Sequence, residues 1–340
     1  MKIFSYTDSD YPSPSEKNFG DHWPVQFKKG FSDFYNEYYS SQVLFLHEEK
    51  TKSWLPLNFM TYKIAKFGQI LHPPVSEGME LNAEQQLLFF DRMLAFLKKT
   101  SLVDRLIQPH PSGITLAAPK DTKWIPFGSY ITELSNFPDD EQLLNSYDVK
   151  YKKAIQHSIN NGARVVFGKE SYQDFYNLYR QTTTRNGIHT DPVEYFNSLR
   201  KHLGSGNTET AVVYDGTEPL GGIFMLYSKY AGLCTHAGSS GNTRLYGAVK
   251  YLHFEMMKLL RDRGVQRYDL VGVRIGGSNP ALEGIFRFKR GFGGVLKQGF
   301  LWKTDINAFP LKFYDLIQKV RNKEQKDDII DQESLNNENV

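Results

Sequence analysis

A basic, glycine-rich segment near the C-terminus is enclosed by two strand-like runs, residues 267–273 and 295–303. The first run opens into a loop that contains Gly276, Gly277 and Pro280, and a short apolar element follows. The sequence then reads Phe-Lys-Arg-Gly-Phe-Gly-Gly over residues 288–294. Cations and exposed backbone N–H groups held between rigid strands suit an anion or a developing oxyanion. This pattern predicts an anion-binding loop, with a solvated basic β-hairpin as the alternative.

Length and composition limit the class of protein. A chain of 340 residues with 40% hydrophobic residues favours two domains of about 150 residues. The net charge of +3 is too small to indicate a nucleic-acid-coating protein. A single cysteine, Cys234, excludes an internal disulfide, and the nine histidines show no metal-binding spacing. The N-terminus lacks the apolar core of a signal peptide, and no run reaches the ~18 apolar residues of a membrane span. We therefore expect a soluble, cytoplasmic protein without metal or cofactor.

Hydrophobic periodicity predicts an α/β arrangement in both halves of the chain. The predicted elements of the first half are a helix over residues 83–99, capped by Asn82, and strands over residues 42–48, 54–63, 65–71, 103–108, 113–118 and 128–134. After a polar helical segment, residues 139–161, the second half has predicted helices over residues 172–183, 192–203 and 245–263 and strands over residues 164–168, 210–214, 220–230 and 232–237. The predicted domains are residues 1–138 and 139–310, followed by a C-terminal helix and a disordered polar tail over residues 311–340.

Three motifs resemble the Fem (FemABX) family, whose enzymes add amino acids from aminoacyl-tRNA to peptidoglycan precursors. The segment 286–294, some fifteen residues after Tyr-Asp-Leu-Val-Gly at 268–272, resembles the C-terminal signature of the family. Residues 235–240 resemble its turn ahead of a long helix, and residues 182–188 resemble its Thr-x-x-Arg-x-Gly element. The resemblance implies two GNAT-like domains in tandem, without the coiled-coil arm that some members carry. It covers residues 125–305 well and the first 120 residues poorly, because the N-terminal Gln-Ser-x-x-Trp signature is missing.

The resemblance also implies roles for individual residues. Lys289, with the loop amides of residues 288–291, would stabilise the oxyanion, and Phe288 would line the substrate channel. Arg185, His236, Lys28 and Lys29 would bind the acceptor, although His236 stands where the family commonly has tyrosine. Contacts to the donor tRNA would come from Arg287, Arg290, Lys297 and Lys303. The expected acceptor is UDP-MurNAc-pentapeptide or a lipid-linked precursor, and the expected state is a monomer.

Two other functions stay open at this stage. A GNAT-type N-acyltransferase would take its acyl group from acyl-CoA or an acyl carrier protein and modify a lipid or sugar amine. Arg244 and Gly247 fit half of the pyrophosphate-binding pattern of such enzymes, but Val249 stands where a small residue is expected. A non-catalytic binding module that kept the fold is the second alternative.

Overall fold

The computed structural model describes residues 1–15, 18–241, 245–275, 280–320 and 328–332. The chain forms two compact units, each discontinuous in sequence. The first unit comprises Met1–Gly128, Arg274–Gly276 and Gln298–Val340, and the second comprises Ser129–Val273 and Gly277–Lys297.

Regular elements follow one another closely along the chain. The elements up to residue 133 are β1 (Lys2–Ser5), α1 (Lys29–Tyr39), β2 (Gln42–Glu48), β3 (Ser53–Tyr62), β4 (Ala65–Ile70), β5 (Val75–Ser76), β6 (Met79–Glu80), α2 (Ala83–Thr100), β7 (Arg105–Ile107) and β8 (Lys123–Glu133). The remaining elements are α3 (Asp140–Asn145), α4 (Val149–Asn160), β9 (Arg164–Phe167), α5 (Tyr172–Asn186), α6 (Val193–Leu203), β10 (Thr208–Asp215), β11 (Glu218–Tyr227), β12 (Gly232–Ser239), α7 (Ala248–Asp262), β13 (Arg267–Asp269), β14 (Val273–Arg274), α8 (Pro280–Arg290), β15 (Val295–Asp305) and α9 (Ala308–Val320).

The first unit is built on strands in the order β1-β2-β3-β4-β7-β15. Within this order the pair β4–β7 is parallel, and the other pairs are antiparallel. Helix α2 begins at a capping box in which Asn82 and Gln85 exchange hydrogen bonds, as the sequence predicted. It buries Phe90, Met93 and Leu97 in a core that includes Trp302 of β15. These apolar faces, which follow helical and strand periodicities, explain why the unit folds as two layers.

Three sequence expectations for the first unit are corrected. The polar residues 1–20, which are rich in Ser, Pro and Asp, predict an extended arm, but Lys2–Ser5 form β1 and pair with β2, with Ile3 opposite Leu46. The strand expected over residues 113–118 is reduced to a single bridge between Thr115 and Phe300, because prolines at 109, 111 and 119 leave little room for a ladder.

Part of the C-terminal tail also differs from its prediction. Residues 328–332 are ordered against the first unit, and Ile330 is fully buried among Ile114, Ile125 and Leu301. The prediction of disorder is wrong for residues 328–332, because it was based on the polar composition of the tail and did not take account of this one apolar side chain. The rest of the predicted tail lies outside the described residues.

The second unit is built on strands in the order β8-β13-β12-β11-β10-β9. All neighbours are antiparallel except β12 and β13. The β10–β11 hairpin turns at Asp215-Gly216, as predicted. Helix α5 packs on β11 and β12 so closely that the Cβ position of Gly238 lies 2.4 Å from the Leu178 backbone. Helices α4 and α7 also pack together, and α7 buries Leu252, Met256 and Leu260 in the main core of this unit.

Candidate active site

The strands β12 and β13 part at one point of the second unit. They are paired in parallel only at Gly232–Tyr268 and Leu233–Asp269. Strand β12 then continues to Ser239, while the chain leaves β13 after Asp269 and turns through Val271 and Gly272. Past the last pair, neither strand supplies the other with a hydrogen-bonding partner. The carbonyl groups of the departing segment are therefore free to bind a side chain.

Lys289, near the end of α8, supplies that side chain. Its Nζ donates to the carbonyl oxygen of Val271 and, over 2.6 Å, to the carbonyl oxygen of Gly272. A lysine ammonium has three N–H donors, so two donors fix its position and one remains for a further acceptor. The two acceptors lie 17 and 18 residues before Lys289 in the chain, which makes this a tertiary rather than a local contact.

The turn that presents these carbonyls is itself held in place. Asp269 accepts a hydrogen bond from the backbone N–H of Val271 over 2.7 Å and a short one from the Ser129 hydroxyl. Val271 has φ of 39°, a left-handed conformation that is costly for a β-branched residue. Such a conformation persists where the surroundings over-determine it, and it is frequent at functional sites. Asp269 and Ser129 provide that restraint.

The Lys289 ammonium lies near a neutral thiol and a neutral imidazole. Burial lowers the pKa of Lys289 to about 8, although Cys234 and Asp269 act in the opposite direction. Burial raises the pKa of Cys234 to about 12, so its thiol is protonated at neutral pH. Burial, together with the charge of Lys289, lowers the pKa of His253 to about 3, so this imidazole is neutral. It shares a 2.7 Å hydrogen bond with the Tyr268 hydroxyl. A neutral thiol is a poor nucleophile, and a histidine with so low a pKa is a poor base.

The glycines that follow Lys289 serve close packing. A Cβ atom on Gly291 would lie 2.3 Å from the Tyr151 ring, and one on Gly293 would lie 2.3 Å from the Ser146 carbonyl oxygen. The Tyr151 hydroxyl donates to the Phe288 carbonyl oxygen over 3.0 Å, so α4 fixes the end of α8. We expected these glycines to expose backbone to an anion. They let α8 approach the helices α3 and α4, which positions Phe288 and Lys289.

Residues 288–290 lie in a helix and not in a loop between strands, which corrects our reading of this segment. The N–H of Gly291 donates to the Arg287 carbonyl oxygen within the last turn of α8. Backbone amides engaged in a helix are unavailable to an oxyanion. The predicted contribution of loop amides is therefore wrong, and the Lys289 side chain is what this segment offers to an anion. The Gly276-Gly277 loop before α8 lies outside the described residues.

Comparison with known proteins agrees with this architecture. Residues 150–290 match the family model of the acetyltransferase (GNAT) domain. The crystal structure of FemX superposes with a TM-score of 0.60 at 14% sequence identity, over 86% of this chain and 96% of FemX. The chain has a FemX-like GNAT fold.

Two further solved structures are more distant. The C-terminal domain of a putative lysylphosphatidylglycerol synthetase from Agrobacterium fabrum has a TM-score of 0.48 at 11% identity, over 82% of this chain and 88% of the other. A tandem GNAT protein from the clavulanic acid biosynthesis pathway has a TM-score of 0.42 at 10% identity, over 78% and 83% of the two chains. No curated protein sequence matches the chain significantly.

The expected fold class, an α/β protein with GNAT-like domains in tandem, is confirmed, as is the resemblance to the Fem-type fold. The longest helix of the described residues, α2, has 18 residues, so this part of the chain has no coiled-coil arm. The match to the GNAT domain model supports N-acyltransferase activity. In the described ranges, no helix is both long and apolar enough to cross a membrane.

On the FemX-like fold, the two residues predicted to bind the acceptor from the second unit lie along α5 and β12. His236 binds Asp191 through Nε2 over 3.2 Å and lies among the rings of Tyr179, Tyr195 and Phe196. Arg185, in the last turn of α5, is exposed and donates to the Ser239 carbonyl oxygen over 3.4 Å. The structure therefore gives Arg185 an accessible guanidinium, whereas the ring of His236 is mostly covered.

The remaining predicted cations are distributed over both units. In the first unit, Lys28 binds Asp21, Lys29 binds Asp33, and Lys303 is bonded to both Asp328 and Asp331 at 2.5 and 2.6 Å. In the second unit, Arg287 and Arg290 are exposed at the end of α8, and Lys297 is half-buried. Exposed arginines suit contacts to phosphate, but the charge of Lys303 is already balanced within the protein.

Sequence reasoning missed the residues that support Lys289, namely Ser129, Cys234, His253, Tyr268 and Asp269. They come from β8, β12, α7 and β13, so no local spacing connects them. Val249, which stands where the pyrophosphate-binding pattern has a small residue so that the backbone can approach the phosphates, has its side chain 2.8 Å from the Cβ position of Gly221 and thus faces the sheet. The steric argument against a CoA-type donor therefore loses its basis, while Arg244 lies outside the described residues. Among the described residues, no group of acidic, histidine or cysteine side chains could hold a metal ion.

Proposed function

We propose that the protein transfers an aminoacyl group from aminoacyl-tRNA to an amine of the stem peptide of a peptidoglycan precursor. The observation that carries this proposal is the Lys289 ammonium, which is fixed by two backbone carbonyl groups where β12 and β13 part. The GNAT domain and the FemX-like fold support the reaction type. The soluble nucleotide precursor UDP-MurNAc-pentapeptide and a lipid-linked precursor share this stem peptide.

The reaction proceeds through a tetrahedral intermediate without a covalent enzyme adduct. The acceptor nitrogen forms a bond to the ester carbon, and the carbonyl π electrons move to oxygen. The third N–H of Lys289 donates to that oxygen and stabilises its negative charge. When the intermediate collapses, the ester C–O bond breaks and the ribose oxygen of the tRNA leaves. The proton lost by the acceptor nitrogen passes to this leaving oxygen through substrate groups, because His253 binds protons too weakly to act as the base.

The position of Lys289 suits this role on physical grounds. A charge held by fixed carbonyl dipoles does not need to reorganise when the oxyanion forms, and burial reduces screening by water. Phe288, on the preceding position of α8, packs against His253 and Phe292 at ring distances of 5.6 and 5.2 Å. It forms an apolar wall beside the cation. This wall limits the access of water, which would otherwise compete with the acceptor amine for the ester.

The proposed binding residues follow from charge and exposure. Arg185 is our candidate for an acidic group of the acceptor, and His236 for a polar contact beside it. Arg287 and Arg290 are candidates for phosphates of the donor, since they are exposed near Lys289 in sequence. Lys297 is a further candidate for the donor. Contacts from Lys303, Lys28 and Lys29 are a weaker part of the proposal, because each of these three lysines has a carboxylate partner in the structure.

A thioester-dependent N-acyltransferase is the second candidate. It is favoured by the matching family model, which is that of an acetyltransferase domain, and by Val249, whose side chain faces the sheet. Such an enzyme would use the same Lys289 ammonium on an acyl-CoA carbonyl group, with a thiolate as the leaving group.

The test compares acyl donors in parallel on one acceptor. Purified protein is incubated with UDP-MurNAc-pentapeptide and either charged tRNA or acetyl- and long-chain acyl-CoA, and the product is identified by mass spectrometry. The proposal predicts a product that gains an amino-acid mass and does not form when the charged tRNA is first treated with RNase. A product formed only with a CoA ester establishes the second candidate. A ligand-induced rise in melting temperature without product under any donor indicates a binding module. Lys98→Ala, which removes an exposed lysine at the end of α2, is the matched control for substitutions of Lys289 and should retain activity.

A further inference from the structure

Helix α9 in the first unit exposes an apolar stripe. Its inner face buries Leu311, and the Tyr314 ring packs on Phe67 at 4.8 Å. Its outer face carries Phe309, Phe313 and Leu316, whose exposed fractions are 73%, 47% and 61%. The spacing i, i+4, i+7 places these three side chains along one line of the helix. An amphipathic surface helix is expected to have polar residues there, so this face needs an apolar partner.

A second element adds apolar side chains to the same region. The turn between β3 and β4 exposes Tyr62 and Ile64, with exposed fractions of 39% and 54%. The Tyr62 ring lies edge-on to Tyr314 of α9, with centroids 5.7 Å apart. Two segments separated by more than 240 residues in sequence are therefore joined. We call the three outer side chains Phe309, Phe313 and Leu316 the α9 face; Tyr62 and Ile64 border the helix on the side of Tyr314.

Two lysines flank the α9 face. Lys63 and Lys312 are both exposed, and Lys63 Nζ lies 5.9 Å from the centroid of the Tyr62 ring. Asp315, the acidic residue of α9, is bonded to Arg105 through two N–H groups at 3.2 Å. Arg105 also binds Asp305 over 2.5 Å, so this arginine and its two carboxylates together carry one negative charge. The face thus combines aromatic and aliphatic side chains with flanking lysines.

This combination identifies the partner by its chemistry. Cores of protein interfaces are depleted in lysine, whereas helices that lie in a bilayer interface carry lysines beside a stripe of aromatic and aliphatic residues. Aromatic rings settle at the headgroup level, and each lysine near an anionic surface strengthens binding about fivefold. We propose that the α9 face docks the protein on an anionic lipid bilayer. This inference concerns the first unit alone and does not depend on the proposed transfer reaction.

The experiment is co-sedimentation of the full chain with lipid vesicles. Vesicles consist of phosphatidylcholine alone or of phosphatidylcholine and phosphatidylglycerol in a two-to-one ratio. We expect binding to the anionic vesicles, weaker binding at high salt because of screening, and little binding to phosphatidylcholine alone. The double variant Phe309→Ser/Phe313→Ser should lower the vesicle partition coefficient roughly tenfold or more, since it removes two large apolar side chains. Lys63→Gln/Lys312→Gln should lower it roughly 25-fold on anionic vesicles only.

Two matched controls keep the result specific. Met79→Ser removes an exposed apolar side chain from β6 of the same unit, and Lys98→Gln removes an exposed lysine from α2; both should bind like the parent. Circular dichroism melting verifies that each variant is folded. Failure to bind anionic vesicles, or equal binding by the Phe309→Ser/Phe313→Ser variant, overturns the proposal. A concentration-dependent dimer that the same variant abolishes also overturns it, because the face would then be an interface between two copies of the chain.

Discussion

Replacing Lys289 by methionine is expected to abolish most activity while leaving the fold intact. The side chain is similar in length, but it lacks the N–H group that remains free once Val271 and Gly272 have been satisfied. Removal of one donor from an oxyanion site costs on the order of 10²- to 10³-fold in kcat, or about 3–4 kcal/mol of transition-state stabilisation. A loss of this size, without a rise in KM, indicates that the interaction is made in the transition state.

The pH dependence makes this prediction sharper. With a pKa of about 8, Lys289 is about nine-tenths protonated at pH 7 and about one-tenth protonated at pH 9. If the ammonium is the active form, kcat should fall as the pH rises through about 8. In Lys289→Met this alkaline limb should be absent. In Lys289→Arg, which stays charged throughout, part of the activity should remain without the limb.

Stability measurements give an independent check of the same group. The pKa of Lys289 is lowered in the folded state, so between pH 8 and 10.5 the unfolded chain binds more protons than the folded one. The free energy of unfolding of the parent should therefore rise relative to Lys289→Met by about 3 kcal/mol over this window. Urea titrations at several pH values measure this difference. Unchanged kcat in Lys289→Met, or an alkaline limb near pH 8 that survives the substitution, would exclude Lys289 as the group that stabilises the oxyanion.

Three further predictions test the surroundings of the site and the tail. Gly291→Ala should destabilise the protein by about 1–3 kcal/mol in urea unfolding, because the new methyl group overlaps the Tyr151 ring; an unchanged midpoint would contradict the packing argument. Burial raises the pKa of Asp191, but interactions that include its hydrogen bond to His236 lower the pKa by more, so the pKa in the folded state lies below the ordinary value. The pair therefore stabilises the fold above pH ~4 and loses this effect as the pH falls through the folded pKa. Asp191→Asn should therefore have a lower melting temperature than the parent at pH 7 and the same melting temperature at low pH. An equal difference in melting temperature at both pH values would argue against the pair. Ile330→Ala should lower the free energy of unfolding by about 2 kcal/mol and speed proteolysis of the C-terminus. Unchanged stability and unchanged proteolysis would show that residues 328–332 bind without the Ile330 side chain.

Local patterns were sufficient to predict much of the backbone. The Asn82 cap, the stripe along α2 and the Asp215-Gly216 hairpin were read correctly because each depends on residues a few positions apart. The order of helices and strands in the second half likewise followed from periodicity. Where local signals conflicted, the prediction failed: the glycines near residues 288–294 indicated a loop, yet residues 280–290 form α8.

The α/β class, the order of most elements and the motif that contains Lys289 can be read from the amino-acid sequence. The contacts of Lys289 depend on the folded chain, because the carbonyl groups that hold it belong to a turn restrained by Asp269 and Ser129. The role of Gly291 was decided in the same way, by Tyr151, which lies 140 positions earlier in the chain. Periodicity encodes which face of an element is buried. Close approach, desolvation and shared hydrogen bonds depend on atoms brought together from distant segments, and these are the factors that set the charge and position of the site.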